Sequence, residues 1–433
     1  MSGFSTRKGL FALSPIAVLL LVYLVGSIVA GDFYRIPITI AFLVASVYAV
    51  AISREGSLQQ RIDIFSRGAG NSRILYMVWI FVLAGAFAAL AKAMGAVDAT
   101  VGIMLDLVPA AYLPAGIFVA ACFVSMSIGT SVGTIVALTP IVRALAAPMG
   151  CELAWLVAIV VGGAFFGDNL SFISDTTIAA TQTQGCSMRS KFRANFAFVM
   201  PAAVVTLLVY AFSGNGLSVV DVPQTTWGDA FKCIPYIIVI VAALFGVNVL
   251  LVLVMGIVAA ALLGLCYGVV GGIDVFTEMG GGVVSMGELI VVTMLAGGLL
   301  ELVRLAGGID FLIRVATGRV SSQRGAELSI CALTAFANVC TANNTIAILT
   351  VGDIARNLSH EYRISPRRAA SLMDTTSCFV QGVIPYGAQL LMASGLAAVS
   401  PLEIIPYLYY PMAVGVAMLL TVFVRGRKVE KQR

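Results

Sequence analysis

Charged side chains are scarce in this chain of 433 residues. Only 11% of the residues are charged, whereas 60% are hydrophobic and the mean hydropathy is +1.01. A soluble domain has about a quarter of its residues charged, so this chain cannot cover a water-facing surface. Apolar runs of roughly 20 residues are long enough to cross a bilayer as helices. The composition therefore predicts an all-α polytopic membrane protein surrounded by a lipid bilayer.

Other absences narrow the function. The one histidine, His360, lies in a polar segment, and the eight cysteines are scattered without a CxxC pair. No GxxxxGK[ST], HExxH or GxSxG motif occurs in the sequence. We therefore expect no enzyme, no cofactor and no ATP-driven transport. The net charge of +5 comes from basic residues in short loops, which is typical of membrane topology rather than of nucleic-acid binding.

The positions of Lys and Arg predict about ten transmembrane helices and two re-entrant hairpins in a bacterial-type inner membrane. Both termini are predicted to lie on the cytoplasmic side. A basic loop at 54–73 marks the inside, as does a second basic segment with Arg189, Lys191 and Arg193. A polar loop at 213–229 and a glycine-rich segment at 271–282 are predicted to lie on the outer side of the membrane. Arg143 is the basic residue that fits this topology least well. The predicted divisions are an N-terminal hairpin with its basic loop at 1–73, a first repeat at 74–213, a two-helix linker at 214–282, a second repeat at 283–424 and a basic tail at 425–433.

Four apolar blocks are interrupted by polar residues. The blocks at 109–147 and 326–356 are too long for one span, and their flanking charges favour hairpins, although broken spans remain an alternative. The blocks at 152–184 and 367–395 read as broken spans. The interruptions fall at 125–134, 167–177, 338–345 and 374–387.

The two halves of the chain resemble each other. GTSVGTIVALT (129–139) aligns with CTANNTIAILT (340–350), and Asp168 and Ser171 align with Asp374 and Ser377. Both halves have the order helix, hairpin, broken span, helix, with opposite predicted topology. Inverted-topology repeats with discontinuous helices are typical of secondary transporters.

Broken helices expose backbone groups that lipid cannot satisfy, so they survive only around a cavity or a ligand. Hydroxyl, amide and carboxylate oxygens suit a small hard cation, and a carboxylate in the membrane can hold either a proton or Na⁺. The predicted ion and proton site comprises Asp168, Asn169, Ser171, Asp175, Thr176 and Asp374. Further predicted substrate or ion ligands, at the hairpin tips and second broken span, are Thr130, Ser131, Asn343, Asn344, Thr345, Thr375 and Ser377. The predicted sodium ligands are Asp168, Ser171, Asn343 and Asn344.

Several of these residues have structural alternatives. Asp175 could cap the half-helix that follows it, and Asn343 and Asn344 could cap the arms of their hairpin. Asp374 could form a salt bridge with Arg368. These alternatives stay open at the level of sequence.

The stretch GDNLSFISDTT (167–177) resembles the signature of the NhaC-type sodium/proton antiporter family, and KFRANF (191–196) is similar to it too. The resemblance implies paired re-entrant hairpins and Na⁺-dependent transport, with Na⁺ as coupling ion. Relatives also move organic anions or amino acids with sodium, and the glycine-rich, aromatic MDTTSCFVQGVIPYGAQ leaves the substrate open. We expect Na⁺/H⁺ antiport by alternating access; the alternative is sodium-coupled transport of a small carboxylate such as an amino acid or dicarboxylate. A homodimer is left open.

Overall fold

The computed structural model describes residues 6–30, 37–54, 56–171, 174–214, 217, 227–245, 247–317 and 320–430. Within these ranges the regular structure is helical, as predicted, and the helices are α1 Thr6–Ala30, α2 Ile38–Ile52, α3 Leu58–Ala69, α4 Ser72–Ala93, α5 Ala96–Leu107, α6 Leu113–Ile128, α7 Ser131–Ala146, α8 Leu153–Leu170, α9 Asp175–Gln184, α10 Met188–Ser213, α11 Ile234–Leu244, α12 Val249–Cys266, α13 Gly272–Ser285, α14 Gly287–Leu305, α15 Gly308–Thr317, α16 Gln323–Thr341, α17 Asn344–Glu361, α18 Pro366–Val383, α19 Ala388–Ala397, α20 Pro401–Ile404 and α21 Tyr409–Glu430. The predicted outer loop at 213–229 lies mostly outside the described residues.

The helices are those of a multi-pass membrane protein. Among the described residues, four spans are long and apolar enough to cross a membrane alone, one of them formed by α8 and α9 together, and the count rises to seven when three bent helix pairs are each taken as one span. The ten spans counted from the sequence include α2 and α11, whose helices have only 15 and 11 residues. Both are shorter than the roughly 20 residues that a straight transmembrane helix needs.

Two segments that the sequence places in connections are helices. The predicted basic loop contains α3, which begins with a capping box between Ser57 and Gln60. The glycine-rich outer segment is α13, which packs against α4. Glycines make this packing close, because a Cβ atom on Gly85 of α4 would collide with the carbonyl oxygen of Gly282 on α13. Gly282 thus serves helix packing rather than a turn.

The two long interrupted blocks form hairpins, as the charges predict. Helices α6 and α7 pack against each other around a turn at Gly129 and Thr130, and α16 and α17 do so around Ala342 and Asn343. The other two blocks are broken helices, α8–α9 and α18–α19. Each hairpin contacts the broken helix of its own half, and the halves also interlock, with α7 against α19 and α17 against α9.

The structure changes the register of the internal repeat. Asp168 lies two residues before the end of α8 at Leu170, and the residue two before the end of α18 is Gln381. Asp374, which the sequence pairs with Asp168, lies nine residues before the end of α18 at Val383. At the hairpin turns the register differs less from the sequence alignment, which pairs Gly129 with Cys340. Gly129 and Ala342 are the residues that correspond in the structure, because both adopt left-handed backbone conformations at their turns, with φ of 73° and 49°.

Arg143, which fits the predicted topology poorly, has a structural role. Its guanidinium group donates a hydrogen bond of 2.9 Å to the carbonyl oxygen of Leu396 in the last turn of α19. A cation at this position neutralises the partial negative charge of a helix C-terminus. Arg143 therefore joins α7 of the first half to α19 of the second half, and its charge need not report the side of the membrane.

Candidate functional site

The two hairpin turns and the two helix breaks surround one cavity of about 380 Å³. Most of its lining is oxygen-rich or amide side chains, and the described lining contains no Lys, Arg or His. Eight of the predicted site residues line it: Thr130, Ser131, Asp168, Asp175, Thr176, Asn343, Asn344 and Thr345. The cavity therefore brings residues from both halves of the chain together.

Asp168 lies in the last turn of α8 and is only 4% exposed. The sequence predicts that it belongs to an unwound segment, but the helix continues to Leu170 and the break follows it. Its Oδ1 accepts a hydrogen bond of 3.2 Å from the backbone N–H of Ser131, the first residue of α7. The tip of the first hairpin therefore holds the Asp168 carboxylate at the cavity.

Hydroxyl groups stabilise the break between α8 and α9. Ser174 Oγ donates to the carbonyl oxygen of Asp168 at 3.0 Å and accepts from the backbone N–H of Thr177 at 3.2 Å. Ser174 is thus the N-cap of α9. The sequence suggests Asp175 for this capping role. Asp175 is the first residue of α9, is exposed and lines the cavity.

The second hairpin tip combines a capping residue with a buried amide. Asn343 is the N-cap of α17, and its Oδ1 accepts from the backbone N–H of Ile346 at 3.0 Å. Asn344 is 6% exposed, and its Nδ2 has no hydrogen-bond partner within the described residues. Asn343 therefore fulfils the capping alternative while lining the cavity, and Asn344 leaves a donor available at the cavity wall.

Two glutamines link the hairpin tips across the cavity. Gln381 Nε2 donates to the carbonyl oxygen of Ala342 at 2.8 Å and to Gln389 Oε1 at 2.9 Å. Gln389 Nε2 in turn donates to Ser131 Oγ at 3.0 Å. The buried Gln381 Oε1 has no partner within the described residues. Neither glutamine is a predicted ligand, although Gln381 falls inside the predicted interruption at 374–387.

Besides α4, whose first residue Ser72 lines the cavity, four helices that follow the hairpin turns and the helix breaks begin at the cavity wall. They are α7, α9, α17 and α19, whose first residues or immediate neighbours are among the lining residues. The N-terminus of a helix carries roughly half a positive elementary charge, so four of them offset about two negative charges. The cavity can therefore hold the Asp168 and Asp175 carboxylates close together, and it also favours an anion once a cation neutralises them.

Asp374 lies apart from the cavity lining and is fully buried. Its partner is not Arg368, because Asp374 Oδ2 lies 2.8 Å from the ammonium group of Lys191 on α10. The Asn195 side-chain amide also donates to Asp374 Oδ2, at 2.9 Å. The sequence places Lys191 in a cytoplasmic loop, but the residue is only 1% exposed. The resemblance of KFRANF (191–196) to the family motif is the sequence signal that could have identified it.

The remaining predicted site residues are buried around the cavity without lining it. Asn169 donates to the Tyr410 hydroxyl at 3.1 Å, and Ser171 donates to the carbonyl oxygen of Met126 at 2.9 Å. Ser377 donates to the Asp374 carbonyl oxygen at 2.8 Å, and the Thr375 hydroxyl has no partner within the described residues. Of the four predicted sodium ligands, three therefore share the cavity and Ser171 does not.

A larger cavity of about 690 Å³ lies elsewhere, between the start of α1, the end of α2 and the end of α14. Arg7, Lys8 and Arg54 line it, and no carboxylate is among its lining residues in the described part of the chain. Three basic side chains repel cations. The smaller, carboxylate-lined cavity is therefore the better candidate for a functional site.

Two known proteins are similar in sequence to this chain, one of them over most of its length. A malate-2H⁺/Na⁺-lactate antiporter of Bacillus subtilis (strain 168) is 22% identical over 386 residues, which cover 81% of each chain. The Na⁺/H⁺ antiporter NhaC of the same organism is 25% identical over 206 residues, or 45% of each chain.

Two solved transporters are more distant. The Alcanivorax borkumensis YdaH transporter has a TM-score of 0.43 at 12% identity, covering 89% of this chain and 96% of that one. Neisseria gonorrhoeae MtrF has a TM-score of 0.41 at 12% identity, covering 89% and 94%. Likenesses this distant support no conclusion about the site.

The family profile covers nearly the whole chain. The profile described as the Na⁺/H⁺ antiporter family matches residues 8–215 and 223–425. This match confirms the resemblance carried by GDNLSFISDTT, and a member of this family is a secondary transporter. The chain belongs to the Na⁺/H⁺ antiporter family.

Proposed function

We propose that the protein exchanges Na⁺ for protons, with Asp168 carrying each in turn. The observation that supports this proposal most directly is a buried carboxylate at an oxygen-lined cavity whose described lining contains no basic side chain. Oxygen ligands suit a small hard cation. The Asp168 carboxylate, the Asn343 and Asn344 side chains and the free Gln381 oxygen supply them, so Na⁺ is the coupling ion and no other cofactor is needed.

One carboxylate suffices for coupling, because a proton and Na⁺ compete for it. When Asp168 is protonated, it no longer attracts a cation, and when Na⁺ is bound, the proton is displaced. Antiport follows if the site reaches only one side of the membrane at a time. The hairpin tip that donates to Asp168 through Ser131 is then the element whose position responds to occupancy.

The cavity faces the side of the basic segments. Ser72 at the start of α4 and Asp175 at the start of α9 line it and are exposed. The neighbouring α3 carries Arg61 and Arg67, and basic segments mark the cytoplasmic side. We infer an inward-facing conformation in a bacterial-type inner membrane, with both termini in the cytoplasm.

A second candidate is sodium-coupled exchange of a small carboxylate. The cavity of about 380 Å³ is far larger than a single ion requires and lies within the range of small-molecule sites. Four helix N-termini and the free Asn344 amide would bind a carboxylate after Na⁺ neutralises Asp168. The similar Bacillus subtilis protein named for malate and lactate exchange supports this candidate.

Reconstitution in liposomes separates the two candidates. Internal pH is followed after external Na⁺ is added, alone or together with malate, lactate or amino acids. Under the first candidate, Na⁺ alone moves protons, and Asp168→Asn reduces the rate at least tenfold because the variant binds neither ion strongly. Asp106→Asn on α5, which removes an exposed carboxylate outside the cavity, should keep the wild-type rate.

The opposite results are equally specific. If Na⁺ moves protons only when an organic acid is present, the carboxylate exchanger replaces the simple antiporter. If Asp168→Asn exchanges at the wild-type rate, Asp168 is not the carrier under either candidate.

A further inference from the structure

Lys191 is a buried cation in the interior of a cation transporter. It lies in the first turn of α10, is 1% exposed and points to the end of α8 rather than to water. Long basic side chains near a helix end normally extend to the aqueous interface. The burial of this ammonium group therefore calls for an explanation beyond membrane topology.

Three oxygens surround the ammonium group. Lys191 Nζ donates to the Asn169 carbonyl oxygen at 3.0 Å and to Thr177 Oγ1 at 2.7 Å, and it lies 2.8 Å from Asp374 Oδ2. An ammonium has three N–H donors, so this set accounts for all of them. The Asn169 carbonyl belongs to the last turn of α8, where the helix carries partial negative charge.

The same three oxygens form a ligand set for a monovalent cation. A carbonyl, a hydroxyl and a carboxylate are the ligand types that hard cations take in proteins. They come from α8, α9 and α18, and the side-chain amide of Asn195 contacts both the Asn169 carbonyl, at 2.8 Å, and Asp374. Because the Asp374 carboxylate is fully buried, it requires a positive charge beside it.

We propose that the Lys191 ammonium occupies a second cation site of this chain and thereby keeps Na⁺ out of it. The protein then has an exchangeable site at Asp168 and a site at Asp374 that its own side chain fills. Removing the ammonium opens this second site to Na⁺. The inference rests on the proposed function only for the choice of Na⁺ as the competing ion.

Counting bound Na⁺ tests the inference. Equilibrium binding of radioactive Na⁺ is measured on the purified full-length protein, for wild type and for Lys191→Ala. We expect Lys191→Ala to bind one more Na⁺ per chain than the wild type. The double variant Lys191→Ala with Asp374→Asn should return to the wild-type number, because the carboxylate that attracts the extra ion is gone.

A matched control removes a neighbouring charge. Arg189→Ala lies on the same turn of α10, but Arg189 is exposed, so its number of bound ions should equal that of the wild type. Thermal unfolding gives a second readout, since a ligand stabilises the folded state that binds it. Added NaCl should raise the Tm of Lys191→Ala more than that of wild type, with choline chloride as the ionic-strength control.

The inference is judged on the difference between variant and wild type. An equal number of bound Na⁺, with equal Tm shifts, would overturn it. If the wild type binds no Na⁺ but Lys191→Ala binds one, the function proposed for Asp168 fails while this inference stands. If Lys191→Ala does not fold, Lys191→Gln is measured in its place. Failure of both variants to fold in saturating Na⁺ would also contradict the inference, since the ion should replace the lost charge.

Discussion

At the scale of single residues, the described part of the chain contains a second buried ion pair. Arg368 on α18 lies 2.9 Å from the carboxylate of Glu327 on α16, and both side chains are 7% exposed. This pair lies within the second repeat, whereas Lys191 and Asp374 join the two repeats. The sequence suggests Arg368 as a salt-bridge partner for Asp374, but in the structure Arg368 pairs with Glu327.

We predict that Arg368→Met destabilises the protein strongly. The substitution leaves the Glu327 carboxylate buried without its cation, which costs about 3–5 kcal/mol in soluble proteins. The unfolding midpoint in detergent measures the loss. Adding Glu327→Leu should recover most of it, because replacing both charges with apolar groups removes the unpaired ion.

The neighbouring Arg367 provides the control for this prediction. It is exposed, so Arg367→Met should leave the unfolding midpoint nearly unchanged. Equal losses in Arg367→Met and Arg368→Met would mean that the pair with Glu327 contributes nothing specific.

At the scale of helices, close packing between α6 and α8 positions the site. A Cβ atom on Gly163 would lie 2.5 Å from Ala121 Cβ, and one on Gly167 would collide with the Ser125 side chain. Small residues allow helices in membranes to approach closely. Since Asp168 follows Gly167 directly, this approach sets the distance between the carboxylate and the hairpin tip that binds it.

We predict that Gly167→Ala separates α6 from α8 and weakens Na⁺ binding. Overpacking costs about 1–3 kcal/mol, and the shift would also lengthen the hydrogen bond from the Ser131 N–H to Asp168. Both the unfolding midpoint and the apparent Na⁺ affinity for transport should fall. Gly116→Ala on α6 is the control, because an added Cβ there meets nothing within 4 Å. Wild-type affinity in Gly167→Ala would show that the packing does not position Asp168.

At the scale of the whole molecule, the halves are joined by reciprocal contacts. Helix α7 packs on α19 and α17 packs on α9, and the Gln389 amide reaches Ser131 across the cavity at 3.0 Å. Alternating access requires one repeat to move against the other. The contact between Gln389 and Ser131 therefore lies where such movement must occur.

We predict that fixing this contact stops transport reversibly. All eight native cysteines are free, so they are replaced first, and Ser131→Cys is combined with Gln389→Cys. A short bifunctional thiol reagent should abolish Na⁺-driven proton movement, and reduction should restore it. Each single-cysteine variant treated in the same way controls for the reagent. Undiminished transport in the cross-linked protein would exclude movement at this contact.

The sequence by itself determined the membrane class, the order of hairpins and broken helices, and the family. These features depend on local composition, since an apolar run or a polar interruption needs no distant partner to be recognised. It also identified most of the polar side chains that line the cavity, because polar residues at helix breaks must meet a cavity. GDNLSFISDTT carried the family identity, although Asp168 within it proved to be helical.

Only the tertiary structure decided which charges face each other. Lys191 meets Asp374 across a separation of 183 residues, and Gln389 meets Ser131 across 258. A basic residue beside apolar segments has the same local sequence whether it lies in a cytoplasmic loop or in the interior. Its burial depends on a carboxylate that another helix brings to it, and that pairing arises only when the two halves of the chain pack together.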